Sequence, residues 1–143
     1  MFPTTLKELK TWLAAHNYHF GSYALDDEFI SEGYGIDKYG PLYVFYYTER
    51  GERRELDYFG SEKEITAFLF EKITSDSWAQ KHLVGFLQSE EQAIELINEL
   101  NARNISYEKD EIPYSILEPK MRIRVFVDRS NIAKAADLRL KYC

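Results

Sequence analysis

The sequence predicts an α+β fold in a single domain, residues 1–143: an antiparallel β-meander, then a β-α-β-β unit, with helices packed on the sheet. Three observations carry this prediction. Apolar residues recur at helical spacing in separated segments, each opened by a capping signal. Between those segments lie short runs rich in Tyr, Phe, Val and Ile, bounded by Gly and Pro. Three such runs follow one another before helix and strand patterns mix, and that order belongs to α+β proteins. A chain of 143 residues, 45% hydrophobic and 29% charged, has the size and balance of one ordinary globular domain.

Thr5-Leu6-Lys7-Glu8 reads as a capping box, and Leu6, Leu9 and Leu13 follow at helical spacing, so a helix is expected over 4–16. A first strand is expected over 27–36. The paired glycines of Gly33-Tyr34-Gly35 inside it suggest a bulge or a close backbone approach, not a phosphate loop. Tyr39-Gly40-Pro41 is turn chemistry, and the aromatic and β-branched run Leu42 to Thr48 is the strongest strand signal. A hairpin turn at Glu49-Arg50-Gly51-Glu52 leads into a strand from Arg53 to Phe59. Leu56 and Tyr58 are expected on one face of it, Glu55 and Asp57 on the other.

Ser61-Glu62-Lys63-Glu64 opens a second helix, to about Thr74, with Ile65, Phe68, Leu69 and Ile73 as its apolar stripe. Residues 75–82 read as a polar connection or a short helix carrying Trp78 and His82. A short strand from Leu83 to Leu87 precedes a third capping box, Ser89-Glu90-Glu91-Gln92, and a helix to about Arg103. Strands are expected over Ile105 to Ile112 and Met121 to Val127, with a loop from Pro113 to Pro119 between them and a basic helix from Ser130 to Leu140 at the end. The two sheet-and-helix units are expected to share one core.

Composition narrows the function classes. The one cysteine, Cys143, can form neither an internal disulfide nor a zinc site. With no signal-peptide start and no long apolar window, a cytoplasmic protein is expected. The net charge of −6 argues against nucleic-acid or membrane partners. All of that excess falls in residues 21–64, which hold eleven acids and five bases, and Asp26, Asp27, Glu28, Glu32 and Asp37 meet no base until Lys38. The eleven tyrosines suggest a ring-rich core together with some exposed recognition surface.

No constellation of catalytic or metal-ligating residues emerges, so neither metal nor cofactor is expected. His16 and His19 straddle the end of the first helix, where a helix-terminus role fits better than ligation. His82 lacks an accompanying nucleophile motif. Arg50, Arg53 and Arg54, flanked by Glu49, Glu52 and Glu55, read as a salt-bridged hairpin tip.

Four strings carry a likeness: Gly33-Tyr34-Gly35-Ile36, Tyr43-Val44-Phe45-Tyr46-Tyr47-Thr48-Glu49-Arg50-Gly51, Ile112-Pro113-Tyr114-Ser115 and Arg124-Val125-Phe126-Val127. Together they resemble the bacterial immunity proteins of polymorphic toxin systems, the group known as immunity protein family 59 among them, over about residues 20–130. After Val127 the chain departs from that pattern and reads Asp128-Arg129-Ser130-Asn131-Ile132. The resemblance implies a small cytoplasmic protein that binds a cognate toxin domain, often a nuclease with a basic cleft, and blocks it. Charge and ring content then suggest the contact surface: Asp26, Asp27, Glu28, Glu32, Tyr34 and Asp37, with Glu49 and Glu52 from the hairpin. Two rival readings are a small hydrolase using His82 with a carboxylate, and a small-ligand-binding or adaptor domain.

Overall fold

A computed structural model describes residues 2–26, 28–113 and 120–143. The chain is α+β, and its elements follow in the order α1 (Leu6–Ala15), β1 (Gly33–Tyr39), β2 (Leu42–Glu49), β3 (Glu52–Phe59), α2 (Glu62–Thr74), β4 (Lys81–Leu87), α3 (Glu90–Ala102), β5 (Tyr107–Pro113), β6 (Met121–Asp128) and α4 (Ala136–Tyr142). Two compact units divide it, Met1–Ala79 and Gln80–Cys143.

Local chemistry starts the first three helices. Thr5, Ser61 and Ser89 accept from the backbone N–H of Glu8, Glu64 and Gln92 at 3.1, 3.2 and 3.3 Å. The reciprocal arm of the expected capping box lands one residue early in all three. Glu8, Glu64 and Gln92 accept from the N–H of Thr4, Gly60 and Gln88, each just ahead of the cap. One more backbone donor is thereby satisfied outside the helix proper.

In the first unit β2 lies between β1 and β3, all antiparallel. α1 buries Leu6, Leu9 and Leu13, and α2 buries Ile65, Leu69 and Ile73, in one cluster with Tyr18, Tyr23, Leu25 and Phe45. β1 begins at Gly33, not at the expected residue 27. Gly33 pairs with Thr48, so residues before it have almost no β2 left to pair with, and Asp26 at φ 63 has left the extended region. The close-approach reading of the glycine pair holds. A Cβ on Gly33 would sit 2.5 Å from the Ser22 carbonyl oxygen, and one on Gly35 would sit 2.3 Å from the Tyr46 ring. The bulge lies elsewhere. β2 and β3 shift register between Phe45 and Tyr46, which leaves Leu56 as an extra residue. The expected alternation on β3 is therefore corrected: Arg54 and Asp57 share the face of Tyr47 and Phe45, while Arg53 and Tyr58 share that of Thr48 and Val44.

In the second unit β6 is the central strand, in the order β4-β6-β5. Ala93, Leu96 and Leu100 of α3 and Leu138 and Tyr142 of α4 pack with Val84, Leu87, Ile123, Val125 and Val127. β5 starts at Tyr107, two residues later than expected, because Asn104 and Ile105 finish α3. Asn104 turns left-handed at φ 56, and the Ile105 N–H donates to the Leu100 carbonyl at 2.9 Å. The expected final helix is α4 preceded by two short 3₁₀ turns, Arg129–Asn131 and Ala133–Ala135. Pro113 closes β5, and the rest of the loop expected up to Pro119 lies outside the described residues. Two clusters of buried side chains form, one in each unit. Among the described residues no helix is long and apolar enough to cross a membrane.

Candidate functional site

Fourteen acids and eight bases fall in residues 1–79, while residues 80–143 hold ten of each, so the whole charge of −6 rests on the first unit. Asp26, Glu28, Glu32 and Glu52 are exposed there and Glu49 is half-exposed. Asp27 lies outside the described residues. Two of the acids are compensated by bases that sequence spacing does not reveal. Glu28 pairs with Lys10 at 3.1 Å, and Asp37 forms an ion pair with Arg53 and accepts from the Tyr39 hydroxyl at 3.3 Å. The carboxylate of Asp37 is the largest influence holding the Tyr39 phenol above the usual tyrosine range.

The hairpin tip is not the salt-bridged knot that its sequence suggests. Arg53 reaches across the sheet to Asp37 and lies 3.8 Å over the Tyr46 ring, while Arg50 and Arg54 make no ion pair among the described residues. Glu49 and Glu52 are directly opposed as the pair that closes the turn. Like charges in that position cost stability. A shallow groove of ≈ 550 Å³ runs along the tip, lined by Tyr47, Glu49, Arg50, Glu52, Arg53 and Arg54.

Tyr34 is half-buried within a column of rings. It stacks on Tyr23 and Phe45, each at 5.2 Å, and the Lys72 ammonium lies 4.8 Å over its face. This residue belongs as much to the ring packing of the first unit as to any contact surface. Its cross-strand partner Tyr47, whose ring lies 5.1 Å away, stands nearer the acidic rim. Desolvation raises the Tyr47 phenol above the usual range, and the carboxylates of Glu49 and Glu32 raise it further. Glu32 and Glu49 of the hairpin therefore converge at Tyr47, which reading the sequence treats only as a strand former.

His82 lies half-buried in β4 opposite Val127, and Trp78 in the preceding turn, so they share no helix face. His16 does serve at a helix terminus: its Nδ1 is 2.8 Å from the Trp12 carbonyl, and its ring stacks on Trp12. No group of three or more His, Cys, Asp or Glu placed to hold a metal ion occurs among the described residues. Comparison with known proteins finds no matching family model, no similar curated protein and no similar solved structure.

Proposed function

We propose that this chain is an immunity protein that binds a cognate toxin domain stoichiometrically in the cytoplasm and keeps it from its substrate. The supporting observation is the confinement of the −6 charge to the first unit, with Glu32 and Glu49 converging on Tyr47. A carboxylate-rich rim around a phenol suits a basic cleft, where it takes the place of phosphates. Charge speeds the encounter, and the ring supplies desolvated contact area. The expected contact surface is Glu32 and Glu49 around Tyr47, joined by Asp26, Asp27, Glu28 and Glu52, with Asp37 and Tyr34 in support. The test is titration of the purified protein against the toxin domain encoded beside it, together with rescue of growth when that toxin is expressed. Saturation at one to one with rescue is expected; no complex at micromolar concentration and no rescue would sink the reading.

A further inference from the structure

Among the described residues β3 is the last strand of its sheet, and every residue from Glu52 to Tyr58 is exposed. Such an edge is a template for another strand, and proteins blunt it with charge and with bulges. β3 carries both, in an arrangement that fits a copy of itself.

We propose that β3 is a homodimerisation edge, with two copies pairing antiparallel about a two-fold axis between Glu55 and Leu56. In this register Arg54 lies opposite the partner's Asp57, and Arg53 opposite the partner's Tyr58. Residues paired across antiparallel strands must share a sheet face. In an unbroken strand, residues three or five apart point to opposite faces, which would forbid this register. The extra residue Leu56 reverses the alternation, so Arg54 and Asp57 share one face and Arg53 and Tyr58 the other. The bulge therefore permits this pairing.

Faces and charge together select this register. One step one way sets Glu55 against the partner's Glu55 and leaves its Arg53–Asp57 pair on mismatched faces; one step the other way sets Glu55 against the partner's Asp57 and also mismatches the faces. Two steps one way oppose Glu52 and Asp57 and leave the Arg54–Glu55 pair on mismatched faces, and two steps the other way oppose no unlike charges. Among the described residues Arg54 makes no ion pair, and the Asp57 carboxylate accepts only the neighbouring Tyr58 N–H, at 2.8 Å, a bond that pairing would exchange for one to the partner strand. Leu56 and Tyr58, 40% and 54% exposed, supply apolar surface to cover.

Sedimentation equilibrium of the free protein up to about 1 mM tests this, a range suited to so small a contact. The weight-average mass should rise toward twice 16.9 kDa. Arg54→Asp and Asp57→Arg should each weaken association roughly tenfold, because two-fold symmetry places the like-charge contact twice. The double variant Arg54→Asp/Asp57→Arg should recover it. Hydrogen exchange at the Tyr58 amide should slow as wild-type concentration rises. A wild type that stays monomeric, single variants that associate like wild type, a folded double variant that fails to recover, or a Tyr58 amide indifferent to concentration would each overturn the proposal. No toxin enters the experiment, so its outcome is independent of the immunity reading.

Discussion

Thr66 sits inside α2 with no exposed surface and, among the described residues, no hydrogen-bond partner for its hydroxyl. A buried hydroxyl left unpaired costs desolvation without return. Thr66→Val keeps the branched shape and removes the polar atom, so the variant should be about 1 kcal/mol more stable, read as a raised urea midpoint. Asp137 shows the opposite situation. Arg103 donates to both of its carboxylate oxygens, at 2.7 and 2.9 Å, and these bonds are the largest influence lowering its pKa to about 2. Because the folded value lies below the unfolded one, the pair stabilises the fold above the ordinary carboxylate range, and that contribution fades as pH falls toward 2. A carboxyl NMR titration should place the Asp137 midpoint near that value, and Arg103→Gln should move it upward. An unchanged midpoint would show that the pair does not form in solution.

At the scale of the element, the β2–β3 hairpin departs from its own local preferences. Arg50 and Gly51 form a two-residue turn with both φ positive, at 54° and 80°. Turns of that kind favour Asn-Gly, since at positive φ a Cβ crowds the following carbonyl and the short Asn side chain offsets this by hydrogen-bonding locally. Arg50→Asn should therefore stabilise the protein by about 0.5–1 kcal/mol, measurable as a rise in melting temperature. An Arg in this turn, beside the opposed Glu49 and Glu52, fits a tip shaped for contact, in line with the proposed function. In α3, Leu96 and Leu100 have no exposed surface. Replacement of either by Ala should cost about 2–5 kcal/mol, and an unaltered urea midpoint would contradict the packing of α3 against β4 and β6.

Across the whole molecule, charge is partitioned: one unit carries −6 and the other is neutral. A field confined in this way orients a basic partner before contact. If the proposed toxin partner binds here, replacing Asp26, Asp27, Glu28 and Glu32 by their amides should slow its association roughly tenfold at low salt and flatten the salt dependence, with little effect on folding. Tyr47→Ala should chiefly speed dissociation. Tyr34→Ala is a poor probe of binding, because that ring is stacked between Tyr23 and Phe45 and its loss loosens the fold itself. Surface-immobilised kinetics at two ionic strengths would decide. Wild-type association by the four-amide variant would reduce the acidic segment to a solvated face.

Element types, and the starts and apolar faces of the first three helices, were determined by sequence alone. Capping residues act within four positions, and Leu9, Leu69 and Leu96 recur on faces that helical periodicity defines. The acidic excess was equally legible, since charge needs only counting. Tertiary structure decided the rest. A two-residue turn at Gly40-Pro41 already implies that Tyr34 faces Tyr47, yet not which of the two rings is stacked inside the unit. The late start of β1, the bulge at Leu56 and the choice of Asp37 as the partner of Arg53 also escape local reading. Each is set by register between strands, and register is a balance of cross-strand contacts between residues far apart in the chain.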